Sequence, residues 1–442
     1  MFSIKSESKW VKTIVIIALI FFLSLCLINC ITRSEEMIMG DFETMNNDDV
    51  KYLRSAWTFL DTGHLTYKHP DKDTVFIMPG MTLILSVFVK LFGQYPILEF
   101  QIFQSLLMTF GLYVLFLIGR KIFGSIPSVI GLILMTVYIP NIYVTGIMLT
   151  ETVFSVLFFL LFLVAIHAIE EKKMKYYIAG GILLGLAVLL RPTILPYPAV
   201  IFCVWLMKKY KVKEMLKFAL PVILIVVTLL APWWIRNAVI FNKFIPLTLA
   251  SGNPMLQGTY INYDHSNDNL DYGTLVQKYN PDVDVTMYGK DELVDDEVET
   301  TMSEIRYKEV MSKEPFEYIK WYTVGKTIKN FEFPFLWEEL FGVQMQTCVN
   351  WHVTMLIVAI LGIITYIILN RKKQKPYFWM MLITILFFNC VHLPFYCFPR
   401  YVYPVINFFI LACGYLIYIV AKAMLPLAKN AYAKYKSKKE SK

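Results

Sequence analysis

Eleven apolar runs, separated by short polar segments, make up most of the chain. Runs of this kind are typical of helices that cross a lipid bilayer, whose hydrocarbon core is about 30 Å thick. The pattern therefore predicts an all-α polytopic membrane protein with about 11–12 transmembrane helices. The runs are residues 13–31, 76–92, 97–118, 126–139, 152–169, 177–190, 194–207, 218–234, 353–369, 377–391 and 402–420.

Two longer polar segments interrupt this pattern. In the first, apolar and aromatic residues recur at helical spacing from Tyr52 to Leu60, which predicts a short amphipathic helix along the membrane interface. The second, between Trp234 and Val353, is long enough for a small subdomain. The predicted organisation is a catalytic transmembrane module at 1–236 with a first loop at 33–75, a second loop at 237–350, transmembrane helices at 351–421 and a basic tail at 422–442.

Charge indicates which segments face each side of the membrane. Hydrophobic residues make up 57% of the chain and charged residues 17%, which excludes a soluble globular enzyme. Basic residues dominate segments 170–175, 208–217, 371–375 and the C-terminal tail, so these are predicted to be cytoplasmic. Both polar loops then face the extracytoplasmic side of a multi-pass plasma-membrane protein. No basic folded domain indicates a nucleic-acid partner.

The number of crossings needs one adjustment. Both termini are predicted to be cytoplasmic, which requires an even number, whereas eleven runs are present. We favour an extra short crossing through residues 140–149, although it places Arg120 and Lys121 outside. A re-entrant segment at 76–92 is the alternative.

Three acidic residues stand at predicted outer ends of helices. Asp48 and Asp49 begin the amphipathic helix, where a carboxylate serves either as a helix cap or in catalysis. Glu151 stands at the mouth of a strongly apolar run, where an ionisable residue indicates either a functional site or a side chain among the headgroups. The local sequence leaves both interpretations open.

Three arginines adjoin apolar runs on the same predicted side. Arg191 lies in RPT, Arg236 in PWWIRN and Arg400 in PRYVYP. Each guanidinium could bind a phosphate through two N–H groups or extend toward lipid headgroups. Because basic residues are disfavoured on this side, their coincidence favours a shared anion such as a lipid-linked phosphate.

Motifs for metal or nucleotide chemistry are missing from the sequence. The six histidines do not fall at metal-ligand spacing, and the seven cysteines form no disulfide framework. Phosphate-binding loops and serine-nucleophile elbows are also absent. No metal ligand is therefore assigned, and a divalent cation stays open as a cofactor only because carboxylates are present.

Taken in order, the motifs resemble those of the GT-C glycosyltransferases that use polyprenyl-phosphate sugars. The chain is similar to bacterial members related to protein O-mannosyltransferases and to the aminoarabinose transferases that modify lipid A. The matching segments are Asp48-Asp49-Val50-Lys51-Tyr52, Met78-Pro79-Gly80, Thr150-Glu151, the run from Gly185 to Thr193, Pro232-Trp233-Trp234-Ile235-Arg236-Asn237 and Arg400-Tyr401. Asp49 and Met78 depart from the family's usual residues at their positions.

The resemblance implies a GT-C-type bundle and an inverting sugar transfer on the extracytoplasmic face, by a hexosyl- or pentosyltransferase. Asp48 would be the general base and Glu151 would orient the acceptor. The catalytic acids would be Asp48, Asp49 and Glu151. The donor phosphate would be bound by Arg400, Arg191, Arg236 and Tyr401. Contacts to the acceptor or the loops would come from Tyr52, Asn237 and His392.

The implied partners are a polyprenyl-phosphate sugar, membrane lipids, and an acceptor that is a protein, a glycolipid or a wall polymer of the cell envelope. Two other functions fit the sequence: a polymerase or ligase that uses a diphosphate-linked oligosaccharide, and a glycan transporter or flippase. Transporters place charges near the bilayer midplane and contain internal repeats. Here the charges lie at helix ends and no repeat is evident, which favours an enzyme. The acid-rich part of the second loop is interpreted mainly as solvated surface.

Overall fold

The computed structural model describes residues 1–372 and 374–440, with side chains described as far as residue 426. It confirms the predicted all-α class, because the described part of the chain contains no strand. The first ten α-helices are α1 (Lys9–Arg33), α2 (Asp48–Thr62), α3 (Gly80–Phe92), α4 (Ile97–Ile122), α5 (Ser125–Val137), α6 (Ile139–Gly146), α7 (Glu151–Glu171), α8 (Met174–Val188), α9 (Pro198–Met207) and α10 (Val212–Phe241). The others are α11 (Gly252–Gly258), α12 (Tyr272–Tyr279), α13 (Glu292–Glu309), α14 (Pro315–Lys320), α15 (Lys326–Phe331), α16 (Met345–Leu369), α17 (Pro376–Cys390) and α18 (Pro399–Glu440).

Every apolar run of the sequence overlaps at least one helix, although several runs extend a few residues beyond the helix ends. Six helices are long and apolar enough to cross a membrane: α1, α4, α7, α10, α16 and α18. The pair α5 and α6 meets the same test together and bends by 54° between its halves. Four shorter apolar helical segments, at α3, α8, Pro192–Met207 and α17, complete the bundle.

Ion pairs divide the bundle into two opposite ends. Arg120 lies 3.3 Å from Glu7, and Lys121 lies 2.8 Å from Glu170. Lys375 donates a hydrogen bond to the Lys121 carbonyl at 2.8 Å. Glu7, Glu170 and Lys375 belong to the N-terminus and to segments predicted to be cytoplasmic, so we call this the basic end. The opposite end, which carries both polar loops, is the loop end.

The segment 76–92 begins and ends at the loop end. The Gly80 amide, at the start of α3, donates to the Leu189 carbonyl at 2.8 Å. Beyond the other end of α3, the Gln94 carbonyl accepts a 2.7 Å hydrogen bond from the Trp57 indole of α2. A side chain at Gly80 would collide with the Leu189 carbonyl oxygen, so glycine permits this close contact.

The extra crossing through residues 140–149 is wrong. It required Arg120 and Lys121 to lie outside, yet both lie at the basic end. Gln101 of α4 instead holds the end of α6 at the loop end by donating to the Gly146 carbonyl at 2.7 Å. With α3 confined to the loop end, α1 begins at the basic end, and α18 starts at the loop end with Arg400 and runs toward the basic end, where Tyr415 accepts a hydrogen bond from Asn370.

Helix α7 forms the centre of the bundle. Its apolar stretch is 89% buried, more than that of any other long spanning helix, and its phenylalanines pack against neighbouring helices. Phe158 contacts Phe388 of α17 and Phe408 of α18, with ring centroids 4.8 and 6.0 Å apart. Because α7 is fixed on all sides, its first residue, Glu151, has a defined position at the loop end.

The second loop folds into a small helical unit with its own apolar core, made of Val276, Val283, Val298 and Ile305. It also contacts the first loop: Glu292 accepts hydrogen bonds from the Thr74 hydroxyl at 2.7 Å and the Val75 amide at 3.2 Å. Some of its acids are therefore buried between the two loops. The interpretation of the acidic segment as solvated surface does not hold for Glu292.

Candidate active site

Four charged side chains from four separate elements meet at the loop end. Asp48 begins α2, Glu151 begins α7, Arg191 follows α8 and Arg400 lies in the first turn of α18. We call these residues the arginine–carboxylate cluster. Two cations and two anions balance within it, which is how charge is accommodated in a partly buried site.

Glu151 joins the two arginines. One of its oxygens, Oε1, accepts hydrogen bonds from both Arg191 Nη2 and Arg400 Nε. Arg191 Nε also donates to the Thr150 hydroxyl at 3.0 Å. The Glu151 side chain is only 1% exposed, and its second oxygen is buried without a hydrogen-bond partner among the described residues.

Asp48 occupies the accessible side of the cluster. Its Oδ2 lies 3.0 Å from Arg400 Nη1, and its Oδ1 accepts a 2.5 Å hydrogen bond from the Tyr67 hydroxyl. Burial alone would raise the pKa of Asp48, but the Arg400 charge and the hydrogen bonds from Tyr67 and Arg400 outweigh it and lower that pKa. The side chain is 38% exposed, so an ionised carboxylate is available to a ligand.

Aromatic residues surround the cluster. Tyr52 of α2 is buried and packs against Tyr67, with ring centroids 5.4 Å apart. His392 stacks on Tyr401 with centroids 5.0 Å apart, and its Nδ1 lies 2.7 Å from the Phe388 carbonyl oxygen. Tyr401 follows Arg400 directly. Two of the predicted acceptor or loop contacts, Tyr52 and His392, and the predicted donor-binding Tyr401 therefore lie beside the cluster.

Asp49 faces away from the cluster, although it is the neighbour of Asp48. Its Oδ2 accepts hydrogen bonds from the amides of Met39 at 2.7 Å and Gly40 at 3.3 Å. Its Oδ1 accepts from the Val50 amide at 2.8 Å, and the residue is fully buried. Such a carboxylate holds the preceding loop against α2. Its predicted catalytic role has no supporting contact in the described residues.

Arg236 and Asn237 also lie apart from the cluster. Arg236 Nη2 pairs with Asp73 at 2.6 Å, and Nη1 donates to the Thr74 carbonyl at 2.6 Å. Asn237 accepts from Arg236 at 3.0 Å and donates to the Ile245 carbonyl at 3.1 Å. Arg236 binds the first loop to the end of α10, and Asn237 binds the end of α10 to the segment that follows it. The structure therefore brings together two of the three predicted arginines.

Lys326, which no sequence pattern singles out, fixes the backbone just before Arg400. Its fully buried ammonium donates to the carbonyls of Leu393 at 2.7 Å and Phe395 at 2.9 Å. It also lies 3.5 Å from the centre of the Tyr322 ring. Burial lowers the pKa of Lys326 to about 7. The Lys326 contacts connect the second loop to the segment that carries Arg400.

Two further hydrogen bonds fix the same segment. The Tyr396 amide donates to the Pro254 carbonyl at 2.7 Å, and the Tyr263 hydroxyl donates to the Cys397 carbonyl at 2.9 Å. Tyr67 and Lys326 could not be found from the sequence because both lie in polar segments without periodicity.

No group of three His, Cys, Asp or Glu side chains in the described residues is arranged to hold a metal ion.

Comparison with known proteins agrees with this architecture. Residues 68–235 match the family model of dolichyl-phosphate-mannose-protein mannosyltransferase. The oligosaccharyltransferase of Archaeoglobus fulgidus, in its apo form, has a similar fold with a TM-score of 0.53 at 11% identity, covering 98% of this chain and 53% of that one. The same enzyme, AglB, in complex with an inhibitory peptide and dolichol phosphate gives a TM-score of 0.53 at 15% identity, covering 96% and 52%.

A third similar structure is ArnT from Cupriavidus metallidurans bound to undecaprenyl phosphate, with a TM-score of 0.43 at 13% identity, covering 93% of this chain and 78% of that one. No match is found among curated protein sequences. The chain spans about half the length of the archaeal enzyme. The family-model match over residues 68–235 and the fold shared with the archaeal oligosaccharyltransferase agree with the resemblance first seen in the motifs.

Proposed function

We propose that the chain is a membrane glycosyltransferase that moves a sugar from a polyprenyl monophosphate to an acceptor hydroxyl or amine at the loop end. The single observation that carries this proposal is the arginine–carboxylate cluster, in which Arg400 contacts both Asp48 and Glu151. The basic residues at the opposite end favour a cytoplasmic location there. The loop end would then face the extracytoplasmic side of the plasma membrane.

Arg191 and Arg400 are the groups proposed to bind the donor phosphate. When the bond between the sugar and the phosphate breaks, its electron pair goes to the phosphate oxygen and the negative charge of the phosphate grows. Two guanidinium groups already oriented by Glu151 stabilise that growing charge without having to reorganise. Their planar N–H groups also match the spacing of phosphate oxygens.

Asp48 is the proposed general base. In an inverting transfer the acceptor oxygen or nitrogen bonds to the anomeric carbon on the face opposite the departing phosphate, and the acceptor proton passes to Asp48. The lowered pKa of Asp48 keeps it ionised at neutral pH. A weak base of this kind takes the proton late, after bond formation has made the acceptor acidic.

The donor class is supported by the family match, whose description names dolichyl-phosphate mannose. It also fits the absence of any sequence motif for a soluble nucleotide sugar. Either a hexose or a pentose is compatible with the cluster, because the proposed contacts of the cluster are to the donor phosphate and to the acceptor proton, and none is to the sugar ring. No step of this mechanism passes through a divalent cation.

The proposal can be tested with the full chain purified into lipid nanodiscs. The protein is given undecaprenyl phosphate carrying mannose, glucose or aminoarabinose, together with protein, glycolipid and wall-polymer acceptors. We expect release of undecaprenyl phosphate and a product with inverted anomeric configuration. Retained configuration would contradict the mechanism, and glycan movement across vesicles without cleavage of a donor would support the flippase instead.

A further inference from the structure

A cavity of about 320 Å³ opens beside the arginine–carboxylate cluster. It lies between the segment that precedes α18 and the end of the second loop. We call it the aromatic pocket and define it by Lys329, Glu332, Phe335, Trp337, Tyr396 and Phe398. Its volume is at the lower end of the range for small-molecule sites, about 300–1,000 Å³.

One wall of the aromatic pocket consists of packed aromatic rings. The rings of Trp337 and Phe398 lie nearly parallel, at 25°, with centroids 5.9 Å apart. Phe335 supports Trp337 edge-on, with centroids 5.0 Å apart and an angle of 88°. Trp337 is 38% exposed. A large aromatic residue held rigidly and left this accessible offers its π face to a ligand.

The rest of the pocket supplies a charged pair. Lys329 Nζ lies 2.9 Å from Glu332 Oε1, and both side chains are about one quarter exposed. Together they provide donors and acceptors that hydroxyl groups can bind. An acyl chain in this pocket would remove both charges from water without replacing their hydrogen bonds, which is unfavourable.

The pocket adjoins the cluster. Phe398 lines the pocket and lies two residues before Arg400, whose Cζ is 6.0 Å from the centre of the Trp337 ring. Lys326 fixes the backbone of the same segment through its hydrogen bonds to the Leu393 and Phe395 carbonyls. A ligand lying on Trp337 would therefore be next to Arg400 and close to Asp48, where an acceptor must lie.

We infer that the aromatic pocket binds the acceptor and that the acceptor is a carbohydrate, an inference that rests on the proposed transferase function. A pyranose ring has an apolar face of C–H groups and an edge of hydroxyl groups. The first fits the Trp337 surface, since positively polarised hydrogens favour the negative face of an aromatic ring. The second fits the Lys329–Glu332 pair. Neither feature is specific for a serine- or threonine-containing peptide.

The test is a binding measurement that does not depend on turnover. Saturation-transfer-difference NMR is recorded on the full chain in nanodiscs with methyl α-mannoside, methyl β-glucoside and methyl β-galactoside, and with a serine-containing peptide. We expect ring protons of at least one glycoside to receive saturation. Trp337→Ala should weaken that binding by at least about tenfold. Trp337→Phe should retain most of the binding, and this result would show that the site still folds when Trp337 is replaced. Phe316→Ala is the matched control, because Phe316 is 85% exposed on the second loop and does not line the pocket.

The inference is overturned if no glycoside binds the wild-type protein, if only the peptide binds, or if Trp337→Ala binds glycosides as well as Phe316→Ala does. Release of undecaprenyl phosphate, measured separately, distinguishes this failure from failure of the proposed function. Release without Trp337-dependent glycoside binding removes only the carbohydrate inference. Trp337-dependent binding without release leaves a carbohydrate site and removes the transferase.

Discussion

Asp48 Oδ2 and Arg400 Nη1 lie 3.0 Å apart, although 352 positions separate the two residues in the chain. This contact joins the first loop to the start of the last helix and completes the arginine–carboxylate cluster. Because the same guanidinium also contacts Glu151, Arg400 is held from two directions. The planar geometry of the Arg400 guanidinium, and not only its positive charge, is therefore expected to affect the rate of sugar transfer.

Arg400→Lys tests that expectation. Lysine keeps the positive charge but cannot reproduce the planar fork of N–H groups. We expect the rate of undecaprenyl phosphate release to fall by about 10²–10³-fold, as for the loss of one preorganised donor. Arg236→Lys is the matched control, because Arg236 pairs with Asp73 away from the cluster. Equal losses in both variants would contradict the assignment of the phosphate site.

Glu151→Gln removes the anion that neutralises Arg191 and Arg400. Unpaired buried charge is costly, on the order of 3–5 kcal/mol when one partner of an ion pair is removed, so we expect a lower melting temperature. Added undecaprenyl phosphate supplies the missing negative charge and should stabilise the variant more than the wild type. Thermal unfolding with and without this lipid measures the difference. An equal stabilisation of both proteins would exclude the two arginines as phosphate ligands.

Lys326 gives the protein a specific pH dependence. Burial lowers its pKa from the ordinary lysine value of 10.5 to about 7, so between these values the unfolded chain holds a proton that the folded chain has released. The contribution of Lys326 to stability therefore rises with pH from about 7 to 10. We expect the change in melting temperature between pH 7 and pH 9.5 to be less positive in Lys326→Met than in the wild type.

Lys320→Met is the control for that measurement, because Lys320 is exposed on the same part of the second loop. It should follow the pH dependence of the wild type. The account of Lys326 fails if Lys326→Met and the wild type change in parallel with pH.

The path of α3 can be tested by labelling single cysteines in a variant that lacks the native ones. Gln94 is exposed at the loop end, and Lys121 lies at the basic end. A membrane-impermeant maleimide added to intact cells should label Gln94→Cys and the α2 control Asp61→Cys. It should label Lys121→Cys only after permeabilisation. Labelling of Lys121→Cys in intact cells would instead support the topology with an extra crossing through residues 140–149.

Hydrophobic periodicity was sufficient to locate the helices of the bundle, because each spanning helix must satisfy its backbone internally and cover it with apolar side chains. It could not show that α3 fails to cross. A run of this length has the same composition in either case, and the deciding contacts, from Trp57 to Gln94 and from Gly80 to Leu189, join separate segments.

The candidate site was predictable to the extent that charge at an outer helix end is unusual. That signal identified Glu151, Arg191 and Arg400, but it also selected Arg236, whose partner Asp73 lies in a loop without periodicity. Likewise, Asp48 and Asp49 share one local sequence. Adjacent residues of a helix point in different directions, so Asp48 contacts Arg400 whereas Asp49 contacts the Met39 amide. Only the fold distinguishes these two carboxylates.

The most direct measurement compares Asp48→Asn with Asp49→Asn in the release of undecaprenyl phosphate from its sugar ester. Both substitutions remove one negative charge at the start of α2, but only Asp48 faces the cluster. Asp48→Asn is expected to lower the rate by at least about 10²-fold, because the base is lost, with the melting temperature little changed. Asp49→Asn is expected to lower the melting temperature while the folded protein keeps most of its rate. Wild-type turnover in Asp48→Asn would contradict the central claim.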